Sequence, residues 1–262
     1  MAEKPRRKYL LTRNLDGFFT EVYHISRFVS KFFREVFKPP YEIGEIIKQC
    51  YEIGYKSLAL ISMTGFITGI VFTKQSRPSL SEFGAASWLP SLVSIAIIRA
   101  LAPLVTSLIA AGKVGSNIAA ELGSMKVSEQ IDAMEVSGTN PFKFLVVSRV
   151  LATTFMIPVL MCYTGIIGLL GAFVNVAQNE NTSFTAFMEG AFSSISFLDL
   201  GSSVVKAIFY GFTIGIVGCY KGWTASNGTE GVGRATNAAV VLSMFLIFIE
   251  EIILVIITNN LR

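Results

Sequence analysis

The sequence predicts an all-α integral membrane protein, and two observations carry this prediction. Apolar residues (A, V, I, L, M, F, W, Y and C) make up 52% of the 262 residues, charged residues make up 15%, and the mean hydropathy is +0.57. In a soluble domain about a quarter of the residues are charged, so this chain has too few charges to cover a soluble surface. The apolar residues also gather into five stretches of the length that a membrane-spanning helix needs.

The composition excludes several classes of function. The single histidine, His24, leaves no histidine-based metal cluster and no Ser-His-Asp set, and the three cysteines form no CxxC pair. The sequence contains no GxxxxGK[ST] phosphate loop, so we expect no ATP hydrolysis by this chain itself, no cofactor and no metal. The net charge of +4 is too small to indicate a nucleic-acid binder.

Residues 1–56 are predicted to form a cytoplasmic N-terminal region with a basic amphipathic helix at 17–38. Its apolar side chains recur every three or four residues, at Phe18, Val22, Ile25, Val29, Phe32 and Val36. Such a helix typically lies on a membrane rather than crossing it, and a soluble partner-binding helix is the alternative. The first 16 residues lack an apolar core, so no cleavable signal peptide is expected.

Residues 57–262 are predicted to form one transmembrane domain. The first span is bounded by Lys56 and Lys74, and the second opens with Leu89-Pro90, a favoured helix start. The predicted spans cover residues 57–73, 89–112, 145–177, 200–220 and 238–258. Polar or glycine-rich loops are predicted between them, including 113–143, 178–198 and 221–237. Glycine pairs at four-residue spacing, such as Gly65 and Gly69, are expected to pack helices within the chain, with a dimer contact as the alternative.

The distribution of basic residues predicts the orientation. Sixteen of the 22 lysines and arginines lie in residues 1–56, 113–143 and 221–237, whereas the segments on the opposite side hold three. Basic residues favour the cytoplasmic side, so we expect a cytoplasmic N-terminus and a C-terminus outside.

The segment 112–141 contains acidic residues at a spacing of three, Glu129, Asp132 and Glu135. This spacing places them on one face of a short helix, which Ser128 could cap. A short amphipathic helix between two spans could dock into a groove of a cytoplasmic partner, and a solvated acidic loop is the alternative.

The stretch 92–152 resembles the MlaE/YrbE family of ABC-transporter permeases. The matching residues are Arg99, Leu101, Pro103, Ala111, Gly112, Gly115, Ser116, Ala120, Glu121, Gly123, Met125, Glu129, Gln130, Ala133 and Pro141. A second block, 228–243, matches the family's last cytoplasmic loop through Gly231, Gly233, Arg234, Ala235 and Thr236. The chain departs from the pattern at Ala100, where the family usually has Glu, and at Lys113, where it usually has Arg. Glu251 stands where relatives carry Asp, and Glu250 is an additional acid.

The resemblance implies a fold similar to the permeases of G-type and A-type ABC exporters, with an elbow helix and a coupling helix. It implies a homodimer with two cytoplasmic ABC ATPase subunits, which bind ATP and Mg. In many diderm bacteria such permeases also bind a periplasmic MCE-domain lipid-binding protein, and in some a small STAS-domain protein. The complex moves phospholipids or related lipids between the bacterial inner membrane and the periplasm, which serves the lipid asymmetry of the outer membrane.

On this basis, one set of residues is expected to couple the chain to the ATPase: Glu121, Ser128, Glu129, Gln130, Asp132 and Glu135. Arg99, Glu250 and Glu251 are expected on the lipid pathway. Two interpretations of Arg99 remain open: it attracts a lipid phosphate at the dimer centre, or it forms a structural ion pair with Glu250 or Glu251. Lys206 and Arg149 are expected near the membrane interfaces, with their charged ends reaching toward water.

Two other functional classes are alternatives. A stand-alone secondary transporter or channel would be favoured by inverted internal repeats, and no repeat is detected. An integral membrane enzyme acting on lipids would need a cluster of His, Asp and Ser side chains or a metal set, which a single histidine disfavours.

Overall fold

The structure, a computed structural model, describes residues 10–39, 41–180, 182–226 and 228–260, and every regular element within them is a helix. This confirms the predicted all-α class. The chain divides into two compact units between Tyr41 and Glu42. The described residues of the first unit form one long helix, α1 (Leu10–Val36), where an amphipathic helix was predicted at 17–38.

The second unit contains five helical segments that are long and apolar enough to cross a membrane, as predicted. These segments are Ile43–Glu82, Ala86–Val127, Phe142–Asn179, Phe197–Trp223 and Thr229–Asn260. In chain order the helices of this unit are α2 (Ile43–Gly54), α3 (Leu58–Glu82), α4 (Leu89–Ala96), α5 (Ala102–Ala110), α6 (Ser116–Val127), α7 (Gln130–Val136), α8 (Ser148–Glu180), α9 (Phe184–Ser193), α10 (Phe197–Trp223) and α11 (Thr229–Asn260).

The helices extend beyond the apolar stretches, so the prediction that residues 113–143 form a loop is wrong for the first half. The second segment stays helical to Val127, with a π-helical turn at Ala111–Gly115. An α-helix satisfies its own backbone hydrogen bonds in water as well as in lipid, so a helix can continue beyond the membrane. The length of the apolar run therefore indicates only the part of the helix that lies inside the membrane. One face of α6 is also buried, and Gly218 and Gly222 of α10 lie close to Ile118 and Leu122.

The predicted loop 178–198 also contains a helix, α9. Phe187 and Ala191 of α9 are fully buried, in a core shared with Leu89 and Val93 of α4 and Leu169 of α8. Ser183 begins the helix, and its hydroxyl accepts a hydrogen bond from the backbone N–H of Ala186. A ten-residue helix is too short to span a bilayer, so a search for long apolar runs does not detect it.

Close helix packing within the chain depends on glycine. A Cβ atom on Gly69 of α3 would overlap the carbonyl oxygen of Gly168 of α8, and one on Gly211 of α10 would lie 2.6 Å from the carbonyl oxygen of Thr153. Small residues allow such close approach of backbones. Both glycines therefore make the intrachain contacts that the sequence led us to expect.

Candidate functional site

Arg99 lies in a π-helical turn, Ile97–Leu101, within the second membrane segment. Its guanidinium reaches two other helices. Nη2 donates to the side-chain oxygen of Asn259, at 2.6 Å, near the end of α11. Nε lies 3.7 Å from Oδ1 of Asp199, in the first turn of α10. The sequence left open an ion pair between Arg99 and Glu250 or Glu251. In the structure, Arg99 pairs with Asp199 instead.

Glu251 pairs instead with Lys206. Nζ of Lys206 lies 2.7 Å from Oε1 of Glu251, and it also donates to the carbonyl oxygen of Arg99, at 3.3 Å. The hydroxyl of Tyr210 donates to the second oxygen of the same carboxylate. Lys206 is buried between helices, so the expectation that it reaches toward water at the interface is wrong. Its charge is neutralised inside the protein, where solvation by water is lost.

Glu250, the additional acid, faces a different neighbour. Its Oε1 accepts a hydrogen bond from Thr213 of α10, at 2.5 Å. Two adjacent carboxylates of α11 are therefore both tied to α10, but at different places along it. Thr213 follows Lys206 by seven residues, which is about 10 Å along the helix axis.

A cavity of about 320 Å³ opens beside Arg99. Its lining residues are Ile95, Ala96, Arg99, Ala100, Lys206, Glu251, Val255 and Asn259. Glu250 and Asp199 are not among them. Lys206 and Glu251 neutralise each other, and Arg99, whose counter-charge Asp199 lies outside the lining, presents a cationic side chain to the cavity. An apolar cavity with one cationic group suits an amphipathic anion.

A larger cleft of about 970 Å³ lies between α2, α6 and α8. Its ionisable lining residues are Glu45, Lys48, Glu52, Lys56, Lys113, Glu121 and Arg149. Glu121 follows Arg99 by 22 residues in one continuous helical segment, which is roughly 33 Å along its axis. The cleft and the Arg99 cavity are thus two separate sites joined by one membrane segment.

Arg149 lies buried at the edge of this cleft. Its Nη2 is 3.1 Å from Oε2 of Glu121, and its Nη1 donates to the carbonyl of Leu145, at 3.0 Å. The expectation that Arg149 reaches toward water is therefore also wrong. The Arg149–Glu121 pair connects α6 to α8, so displacement of one helix pulls on the other.

The short helix predicted after residue 128 is present as α7, but Ser128 does not cap it. The hydroxyl of Ser128 donates backward to the carbonyl of Ser124, at 2.8 Å, and accepts from Gln130. Glu129 occupies the capping position with φ 58°, a left-handed conformation that is uncommon for a residue other than glycine. This residue turns the chain sharply between α6 and α7.

Within α7, one side chain points inward and the acids point outward. Ile131 is buried, whereas Glu129, Asp132 and Glu135 are exposed. Asp132 is held to Lys126 of α6, at 3.0 Å. The arrangement leaves an acidic surface on a short anchored helix, available to a partner.

Sequence reasoning missed four residues around Arg99 and the two acids, namely Asp199, Tyr210, Thr213 and Asn259. Asp199 had a detectable signal, because Ser196 and Asp199 have the spacing of a capping box and form one. The others had none, since polar side chains in apolar helices reveal their partners only when the rotation of each helix is known.

Comparisons with known proteins agree with this architecture. The family model described as Permease MlaE matches residues 46–257. A probable ABC transporter permease protein of Rickettsia typhi is 38% identical over 216 residues, which cover 82% of this chain and 83% of the relative. A similarly named protein of Synechocystis sp. is 34% identical over 208 residues, 79% of each chain. The chloroplastic protein trigalactosyldiacylglycerol 1 of Arabidopsis thaliana is 33% identical over 210 residues, covering 79% of this chain and 59% of the relative.

The family match spans most of the chain and includes three of the five long apolar segments in full and most of the first and the last. A permease of an ABC transporter is a multi-pass membrane subunit that works with an ATPase. The chain belongs to the MlaE family of ABC transporter permeases.

Proposed function

We propose that this permease moves phospholipids or related lipids between a bacterial inner membrane and the periplasm, with energy from a separate ATPase that binds ATP and Mg. The observation that carries the proposal is the apolar cavity whose lining includes the cationic side chain of Arg99. The Arabidopsis relative is named after a lipid, trigalactosyldiacylglycerol, which supports a lipid as the cargo.

In this proposal Arg99 attracts the phosphate of the lipid headgroup. A guanidinium is well suited to phosphate because it presents several N–H donors in a planar fork. Glu251 pairs with Lys206, so it does not compete for Arg99, whose own counter-charge, Asp199, lies outside the lining of the cavity. Glu250 stabilises the contact between α10 and α11 through Thr213.

The coupling element in this proposal is the sharp turn at Glu129 between α6 and α7, together with α7 itself, which we call the α6–α7 corner. With the N-terminus in the cytoplasm and the C-terminus in the periplasm, as the basic residues favour, the corner and the larger cleft face the ATPase. Glu129, Gln130, Asp132 and Glu135 contact the ATPase, and Ser128 supports the corner through its bonds to Ser124 and Gln130. Glu121 passes the movement to α8 through Arg149.

The assembly that we propose is a homodimer. Long exposed apolar side chains along α11, such as Phe245, Ile249 and Ile253, give it surface for a second copy or for lipid. A periplasmic MCE-domain lipid-binding protein and, in some complexes, a small STAS-domain protein complete the partners that the family resemblance implies.

Photocrosslinking tests the lipid site. A photoreactive amino acid in place of Ile95, which lines the cavity, should crosslink to phospholipid when native membranes are irradiated. The crosslinked lipid is then detected on the purified protein. Arg99→Ala should lower this labelling about tenfold or more, because a charge-assisted hydrogen bond to phosphate is lost. A probe at Phe155, an exposed apolar residue of α8 that does not line the cavity, serves as the control for general lipid contact. Equal labelling from position 95 in the protein with Arg99 and in the Arg99→Ala variant would contradict the phosphate role of Arg99.

A further inference from the structure

Arg99 contacts two partners, one outside the lining of the cavity and one within it. Asp199 lies behind the guanidinium, outside the lining of the cavity, and is buried. Asn259 lines the cavity beside Arg99 and is exposed. One partner is therefore part of the protein interior, while the other faces whatever enters the cavity.

The carboxylate of Asp199 is fixed by its own helix. Its Oδ2 accepts hydrogen bonds from the backbone N–H of Ser196, at 3.2 Å, and from the hydroxyl of Ser196, at 2.9 Å. Its Oδ1 faces Nε of Arg99 at 3.7 Å. Because the capping box fixes the carboxylate, its negative charge is held beside Nε of Arg99.

Asn259 contributes a neutral contact. Its side-chain oxygen accepts from Nη2 of Arg99, which leaves the two N–H donors of its amide group for other acceptors. The hydrogen bond to Asn259 uses one of the five N–H groups of the guanidinium. An amide does not cancel the positive charge beside it, whereas a carboxylate at the same position would.

We propose that Arg99 and Asn259 together bind the phosphate of the lipid headgroup, with Asp199 as the positioning residue behind them. The inference rests on the proposed lipid transport and adds a second headgroup contact. Arg99 supplies charge and hydrogen bonds, and the amide of Asn259 supplies a further donor from a different helix. Since Arg99 and Asn259 belong to the second and fifth membrane segments, a bound phosphate links these segments.

The test compares two photoreactive lipids that share the same acyl chains. One is phosphatidylglycerol, which has a phosphate, and the other is diacylglycerol, which has none. The full-length protein, purified with its co-purifying ATPase and placed in lipid nanodiscs, is exposed to each probe. The ratio of labelling by the two probes measures recognition of phosphate separately from access of acyl chains.

Asn259→Ala tests the amide contact, and Asn259→Asp tests the charge at this place, because it keeps the shape of the side chain and adds a negative charge next to Arg99. For Asn259→Asp, the prediction is the larger one. We expect phosphatidylglycerol labelling to fall about tenfold or more while diacylglycerol labelling stays unchanged. Asn259→Ala should lower phosphatidylglycerol labelling more weakly, because Arg99 keeps its charge. The matched control is Asn260→Asp, which makes the same change one residue later, outside the lining of the cavity.

The positioning role of Asp199 is tested with three variants. Asp199→Asn should lower phosphatidylglycerol labelling. Asp199→Glu should keep it near the wild-type level, because Glu at this place keeps both the charge and the capping box. Ser196→Ala removes the side-chain cap but keeps the carboxylate and its bond from the backbone N–H of residue 196, so labelling should fall less than in Asp199→Asn. If Ser196→Ala lowered labelling as much as Asp199→Asn, the role of Asp199 would be helix capping alone and the positioning role would be overturned.

The outcomes separate this inference from the proposed function. If Arg99→Ala abolishes phosphatidylglycerol labelling while Asn259→Ala leaves it at the wild-type level, the headgroup contact of Asn259 is refuted and lipid binding at Arg99 stands. If Arg99→Ala and Asn259→Asp both label as the wild type does, phosphate recognition in this cavity is refuted as well.

Discussion

Removing Lys206 should destabilise the protein strongly. Lys206→Met leaves the carboxylate of Glu251 between helices with Tyr210 but without its cation. The side chains of the pair are 3% and 15% exposed, so water can replace the lost partner only in part. Breaking a buried ion pair by removing one member costs about 3–5 kcal/mol of the free energy of unfolding. Replacing both residues, as in Lys206→Met with Glu251→Leu, should restore most of the loss.

The control pair is Arg234 and Glu230 in α11, whose side chains are 68% and 85% exposed and lie 3.7 Å apart. Arg234→Met should cost less than about 1 kcal/mol. Unfolding is followed in detergent by the fluorescence of the two tryptophans, one of which, Trp223, packs edge-on against Phe142. The reasoning is refuted if Lys206→Met costs no more than Arg234→Met, or if the double variant is as unstable as the single one.

Three further predictions follow from the packing and the α6–α7 corner. Gly69→Ala should reduce the yield of monodisperse protein sharply, because its Cβ overlaps a carbonyl of α8, whereas Gly44→Ala, with open space around it, should purify normally; equal yields would contradict the close contact. Glu129→Lys should uncouple ATP hydrolysis from lipid movement in the reconstituted complex, and an unchanged ratio of lipid moved to ATP hydrolysed would argue against the coupling role. Ser196→Ala should cost about 1 kcal/mol of unfolding free energy as the loss of a real cap, and Ser128→Ala about 0.5 kcal/mol or less; the reverse order would mean that Ser128 caps α7 after all.

The sequence predicts the number of membrane segments well, because the length of an apolar run is a physical requirement of the bilayer. It predicts their ends poorly. Residues 116–127 are polar enough to resemble a loop, yet they form α6, because Ile118 and Leu122 pack against glycines of α10. That contact depends on tertiary structure and leaves only a weak pattern in the sequence.

The candidate site shows the same division. The sequence identifies Arg99, Glu250 and Glu251 as charges that need partners, since charges within spans are costly. It does not identify the partners, because pairing depends on the relative rotation of three helices. In the structure, Glu251 forms an ion pair with Lys206. Arg99 forms an ion pair with Asp199 and a hydrogen bond with Asn259.

The central claim is that this chain is the membrane subunit of an ATP-driven lipid transporter. The most direct measurement is purification of the tagged chain from native membranes in mild detergent, with mass spectrometry of the proteins and lipids that accompany it. The account predicts an ABC ATPase, an MCE-domain protein and phospholipid in the same particle. A clean preparation without any ATPase, reproduced after crosslinking in the membrane, would contradict it.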